Sequence, residues 1–410
     1  MKTAWYLGWL LYLICKQVWA VPQFTDTAQV MRHYDYRTGL SQVTVTALAQ
    51  DQFGYIWIGT QAGLNRFDGH EFKTFASQQQ DVKSLAGGFI TALCVSNDKV
   101  WVGTSTGLSV YHTIQGRFTS LLAKDQPVIE SDRVSWIDCK GEHVVISTED
   151  NMSYEVDKSS LVPHALNIEG NYIRNVVQRG DNYFYLSDMG FMAYHKQAQT
   201  SVQLLAGEFK KMTYQGQRAM LVSKSNRLIS YDTLYQRMLW SHSFDTVQNI
   251  TLHSLEINGN EILVASDHGV YLLDLQGKLL NHWYKRDRQT AGLQDNNILT
   301  VMRDKNQDLW IGTETRGLHF FSQLSESFGH VSEYNYPHSP MKTADIRNFA
   351  IDREDRIWLA TSNGAHIFDG TGFKPANHYF SELKVLNGSF ITRIIFHGEW
   401  LWAATRGNGV

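Results

Sequence analysis

Hydrophobic positions along this chain come in pairs of short runs joined by a polar, glycine-containing turn, and the pair recurs nine times in 410 residues. The clearest copies are Trp57-Ile58-Gly59-Thr60 before Gly63-Leu64, Trp101-Val102-Gly103-Thr104 before Gly107-Leu108, and Trp310-Ile311-Gly312-Thr313 before Gly317-Leu318. Anchored on that Trp, or on the apolar residue aligned with it, the copies start from Trp57, Trp101, Val145, Tyr185, Leu221, Leu263, Trp310, Trp358 and Trp402, at spacings of 36 to 48 residues. The middle copies, such as Val145-Ile146-Ser147-Thr148 and Tyr185-Leu186-Ser187-Asp188, have lost the motif but keep the phase. Loops vary in length and the unit does not. A period of this size reading as four short strands predicts the blades of a β-propeller.

The first copy shows the four strands in its turn chemistry. Val45 to Gln50, Tyr55 to Thr60, Leu64 to Phe67 and Glu71 to Phe75 are separated by Asp51 to Gly54, Gln61 to Gly63 and Asp68-Gly69. Ile56-Trp57-Ile58 is apolar at every position, as a strand covered on both faces must be. Gly59 and Gly103 are expected to let neighbouring backbone pack closely. The reading is therefore all-β: a seven-bladed propeller of four-stranded blades over residues 21–325, then the start of a second propeller over 326–410. Tyr34-Asp35-Tyr36 precedes Trp57 much as Tyr334-Asn335-Tyr336 precedes Trp358, which favours a restart at the eighth copy. Gly292-Leu293 lies as far before Trp310 as Gly39-Leu40 before Trp57, which would equally mark the seventh. The strand from Val30 to Tyr36 is free to close a ring, without saying which.

Composition supports a packed chain: 43% hydrophobic residues, 12% aromatic and only 6 prolines. A net charge of -3 with scattered Lys and Arg speaks against a nucleic-acid surface. Residues 1–20 differ in kind. Lys2, the apolar stretch Ala4 to Cys15 and Val18-Trp19-Ala20 read as a secretory signal peptide, so a periplasmic location is expected. Beyond it lie Cys94 and Cys139, on the first strands of the second and third copies; two buried thiols are the expectation, and a disulfide the alternative that export permits.

Gly39-Leu40-Ser41, Val45 to Asp51, Gly54, Trp57-Ile58-Gly59-Thr60 and Gly63 to Gly69 closely resemble the repeat of two-component regulator propellers. The resemblance is specific in copies one, two, seven and eight, and phase carries it across residues 30 to 410. It implies the periplasmic sensor region of a bacterial receptor, with two propellers, a β-sandwich, one membrane helix and a cytoplasmic histidine kinase or diguanylate cyclase. The sequence ends at Leu401 to Val410, inside the second hairpin of the ninth copy, so the output enzyme and membrane helix are expected beyond residue 410. A homodimer is expected of the full receptor. Two alternatives stay open: an exported propeller enzyme resembling streptogramin lyases, and a non-catalytic interaction propeller.

Catalytic motifs dissolve into the repeat. Gly103-Thr104-Ser105-Thr106-Gly107 has the spacing of a nucleophile elbow but aligns with the hairpin Gly59 to Gly63. Asp304, Asn306 and Asp308 open like a calcium loop, yet Leu309 stands where its glycine belongs, and a polar turn is expected. No metal site, cofactor or catalytic residue is assigned. The Trp residues in phase, Trp57, Trp101, Trp310, Trp358 and Trp402, are expected in the core. Those off phase, Trp136, Trp240, Trp283 and Trp400, are the better ligand candidates. The turns between second and third strands share a face with the inter-blade links, so the candidate binding set is Gln61, Trp136, Asp267, His268, Arg316, Asn363 and Arg406. Amides, a carboxylate and Arg around one axis suit a small extracellular molecule, an oligosaccharide or an acidic group among them.

Overall fold

The computed structural model describes residues 31–78, 83–121, 129, 131–244, 249–286, 292–323, 345–368, 372–407 and 409. The expected signal peptide lies outside them. The chain divides into two compact units, one of Val30–Ser325 and one that includes Glu326–Val410.

Four antiparallel strands make each sheet, and their bounds follow the turn residues closely. In the first sheet they are Val45–Gln50, Ile56–Thr60, Gly63–Phe67 and Phe72–Phe75, within a residue of the expectation. The larger unit holds seven four-stranded sheets among the described residues. Six run their strands in chain order. The seventh takes Ile298–Arg303, Leu309–Thr313 and Leu318–Phe321, and its fourth strand is Arg32–Tyr34 from the other end of the unit. That strand pairs Arg32 with Phe320 and Tyr34 with Leu318.

First strands touch in a closed cycle, from Val45–Gln50 through Ile90–Ser96, Val134–Asp138, Arg174–Arg179, Phe209–Gln215 and Leu252–Asn258 to Ile298–Arg303 and back. A separate hydrophobic cluster fills each gap between neighbouring sheets. Trp57, Leu64, Ile90 and Tyr111 fill one such gap, and Val45, Ile58, Met302 and Trp310 fill the one that closes the cycle. Burial on both faces explains the apolar second strands.

Glycine in those second strands is a packing device. A Cβ on Gly59 would come within 2.6 Å of Ile90 Cγ2, and one on Gly312 within 2.5 Å of Val45 Cγ1. The close neighbour is thus a branched side chain of the next sheet, not the backbone that the sequence suggests. An Asp six residues ahead of Trp recurs as well: the carboxylates of Asp51, Asp304 and Asp352 accept the indole N–H of Trp57, Trp310 and Trp358 at 2.9, 2.9 and 2.7 Å. Asp304 also accepts from the backbone of Asn306 and Asp308, so the calcium-like stretch is a turn held by its own carboxylate.

The smaller unit contains a four-stranded sheet built on Ile346–Ile351 and Ile357–Thr361, and a two-stranded one of Ile391–His397 and Trp400–Thr405. Trp358 is buried there, but Trp402 is 52% exposed, against the core placement its phase implies. Leu401 and Ala403 pack against the cluster of the preceding sheet, and Trp402 lies on the opposite face of the strand. Among the described residues no helix is long and apolar enough to cross a membrane.

Candidate functional site

The cycle of first strands encloses a cavity of about 400 Å³, and all seven strands contribute to its wall. Its size falls in the range that small-molecule sites occupy. In the regular copies small or hydroxyl residues face it: Thr46, Ala47 and Ala49 in the first sheet, Thr91 and Ala92 in the second. Each such strand carries a bulge near its start, between Val45 and Ala47 or between Ile90 and Ala92. The bulged hydroxyl ties the ring together, since Thr46 Oγ1 donates to the carbonyl of Ile90 at 2.7 Å and Thr91 Oγ1 to that of Val134. In the degenerate copies the equivalent positions turn polar or charged: Asp138, Lys211, His253 and Glu256.

Toward the ends of the first strands, charges are matched. Arg179 Nη1 donates to Asp138 Oδ2 at 3.0 Å, and the same oxygen accepts from the backbone of Gln178. Glu256 Oε2 accepts from the backbone of Arg303 at 2.8 Å, and the Arg303 guanidinium pairs with Glu261 at 3.2 Å. Burial pushes the Glu256 carboxyl up to about 7, against the pull of that N–H bond and of Lys140 and Arg303 nearby. Cys94 and Cys139 form a disulfide between the second and third sheets, with Cα atoms 6.0 Å apart. The free-thiol expectation is overturned because neighbouring first strands bring the two residues within bridging distance. Cys139 is also sealed by Lys158, whose Nζ donates to its carbonyl at 2.9 Å.

At the starts of the same strands the charges are unmatched. Arg174, Lys210 and Lys211 open the first strands of the fourth and fifth sheets. Neither the Arg174 nor the Lys211 side chain has a hydrogen bond or ion pair among the described residues, while Lys210 Nζ donates to Asn226 Oδ1. Enclosure by protein pulls the Lys211 ammonium below the usual lysine value, and the nearby positive charges of Arg174 and Lys210 lower it further. Its side chain still keeps surface open to the cavity, so water in the bore moderates that drop. His253 is lowered chiefly by burial, with Asp267 opposing and Lys210 and Lys211 adding to the fall. Its buried Nε2 and Oδ1 of neighbouring Asn297 lack other partners, and the contact between the two side chains opposes the fall.

Of the residues singled out from the sequence, Trp136 alone lines the cavity, with its indole spent on the carbonyl of Val176 at 3.1 Å. Asp267 and His268 sit together in the turn of the sixth sheet, Oδ1 to Nδ1 2.7 Å, and Asp267 also accepts from the backbone of Thr251. Gln61 and Arg316 are exposed on their turns, outside the cavity wall. Asn363 and Arg406 belong to the smaller unit, where Arg406 lies over the Phe390 ring. Among the off-phase tryptophans, Trp283 is buried at 3% exposure against Phe321 and Trp240 donates to the carbonyl of Leu275 at 2.8 Å, so neither offers a free face. Trp400 is exposed. Lys211, His253 and Glu256 lie on first strands of the cavity wall, away from the turns that carry the sequence candidates. Their signal was a charge at first-strand positions where regular copies carry Thr or Ala.

A ring of radial sheets around one lined cavity defines a β-propeller. Two of its repeats match a known family: the model described as "Two component regulator propeller" matches residues 39–62 and 292–315. A 48-residue stretch is 46% identical to Histidine kinase P4 of Formosa agariphila, covering 12% of this chain and 4% of that protein. Among solved structures, an extracellular domain described as that of a hybrid two component system from B. thetaiotaomicron is 17% identical, covers 93% of this chain and 53% of its own, and gives a TM-score of 0.66. Another, described as the extracellular domain of a one component system from that organism, is 18% identical over 92% of this chain and 52% of its own, with a TM-score of 0.58. At that identity the likeness speaks for the fold, and this chain spans about half of either structure.

Proposed function

We propose that this chain is the periplasmic sensor region of a bacterial signal-transduction receptor. Its first propeller, residues 21–325, binds a small extracellular molecule in the central cavity, a saccharide among the candidates, and a second propeller begins near residue 326. Occupancy is relayed through a downstream membrane helix to a kinase or cyclase in a homodimeric receptor. The observation that carries this reading is the match of residues 39–62 and 292–315 to the regulator-propeller repeat. The physical support is a regular scaffold around a cavity whose wall carries Asp138, Lys211, His253 and Glu256 among its lining residues. Deleting the gene in its own bacterium and recording transcripts on single saccharides, amino acids and organic acids tests it. Loss of the response to at least one compound is expected; a deletion strain that answers every compound as the parent does would sink the reading.

A second reading draws on Asp267 and His268, a carboxylate-oriented imidazole beside the turn face, which an exported propeller enzyme would use as a general base. Turnover of a bound compound that disappears in His268→Ala would establish it in place of sensing.

A further inference from the structure

We infer that the turn-side mouth of this cavity binds an anionic group, a carboxylate, sulfate or phosphate, held by Lys211 and Arg174 with Lys210 beside them. The inference deepens the sensor reading and rests on it only for the role of the ligand. Lys211, Lys210 and Arg174 lie near one another at this mouth; Asp267 is close enough to raise Lys210, but it and the other carboxylates here already hold other donors. Asp188 is held by Asn171 at 2.8 and 3.1 Å, Glu208 pairs with Lys224 at 3.2 Å, Asp267 holds His268 and Thr251, and Glu314 takes the amide of Asn297. Lys211, which lines the cavity and is set near Lys210 and the exposed Arg174, is repelled by both and has lost part of its hydration. An anion entering between them gains charge-assisted hydrogen bonds and relieves that repulsion at once. Nothing in the propeller needs this arrangement, because the regular copies hold the same strands together with Thr46 and Thr91.

The test is equilibrium dialysis of the 410-residue protein against labelled sulfate, inorganic phosphate and glucuronate, each at one ionic strength set with sodium chloride. Glucose and maltose serve as uncharged arms. Saturable binding of at least one anion is expected, weakened tenfold or more by Lys211→Met and by Arg174→Ala, and unchanged in Lys384→Met on the smaller unit. The three anions identify the group by their order of affinity. Failure of all three to bind saturably, or binding that survives both substitutions, overturns the proposal. Arg174 is exposed, so its variant stands should the Lys211 change prevent folding. An uncharged sugar bound equally by all variants would leave the sensor reading intact while removing the anion site. An anion bound without any transcript response in the deletion strain would do the reverse.

Discussion

The two ends of the propeller bore are built from the same seven strands and carry opposite solutions for charge. At the far end a disulfide, an Arg179–Asp138 pair and the Glu256 to Arg303 bond cross from sheet to sheet. At the turn-side end Lys211 lines the bore and the exposed Arg174 opens the neighbouring strand, neither side chain with a partner among the described residues. A buried charge that is paired acts as a tie, and one left unpaired costs stability unless something outside the chain supplies the counter-charge. One end therefore reads as structure and the other as a site.

Breaking the far end should cost most. Closing the 45-residue separation between Cys94 and Cys139 restricts the unfolded chain, so their joint replacement by Ala is expected to remove about 4 kcal/mol. Urea unfolding with and without reductant checks this, and an unchanged midpoint would show the bridge absent in solution. Next comes Asp138→Ala, which strands Arg179 and the Gln178 N–H and should cost about 3 kcal/mol. If Arg174→Ala at the other end costs as much, the two ends are not different in kind.

Legibility in the sequence divides along the same line. The strands of the first sheet could be read to within a residue because Asp, Asn and Gly in its turns and the all-apolar second strand leave little choice. Trp57 and Trp310 were legible as core for the same reason. Trp402 was not, since its phase states what a neighbouring sheet would do, and it lies on the face of its strand opposite Leu401 and Ala403, which pack on the preceding sheet. The bridge between Cys94 and Cys139 depends on which strands adjoin around the ring, and linear spacing does not carry that. Asp267 and His268 were found as a pair on a turn, but the cavity wall lies on first strands, where Lys211 and Glu256 look like ordinary interruptions of an apolar run until seven strands are laid around one axis.

The pH response separates a bore carboxylate from a buried histidine in the third strand of the seventh sheet. Glu256 has its folded value raised from 4.5 to about 7, so the folded protein holds the proton more tightly. Its contribution is complete below pH 4.5 and is lost as pH rises through 7. His319, in tilted ring contact with His33 and accepting from the backbone of Gln294, is depressed by burial from 6.5 to about 3. Its contribution is complete above pH 6.5 and is lost as pH falls toward 3. The two oppose each other between 4.5 and 6.5 and flatten the native profile. Glu256→Gln should leave stability rising with pH through that window, by on the order of 2 kcal/mol, and His319→Asn should leave it falling. Asn is the residue at the equivalent position of the first sheet, where Asn65 accepts from the backbone of Ser41 at 3.0 Å. Identical pH slopes in both variants would refute the assignment.

The smallest effect discriminates best, because it turns on sign. Lys211 and Lys158 are both lysines that enclosure holds below their ordinary value. Lys158 is bonded, its Nζ donating to the carbonyls of Cys139 and Gly141 at 2.9 and 2.7 Å. Lys158→Met removes those bonds and leaves two carbonyls short of a donor, so a loss of about 1 to 2 kcal/mol is expected. Lys211→Met keeps the length of the side chain and removes a charge that has repulsion and partial desolvation but no bond to lose. Stability should rise, by up to about 1 kcal/mol in a buffer free of multivalent anions. Adding the anion that binds should reverse that order, because it stabilises the native protein in proportion to its occupancy and the variant cannot hold it. A Lys211→Met protein less stable than the parent in anion-free buffer would mean that the ammonium already has a favourable partner within the chain, and the two ends of the bore would then be alike.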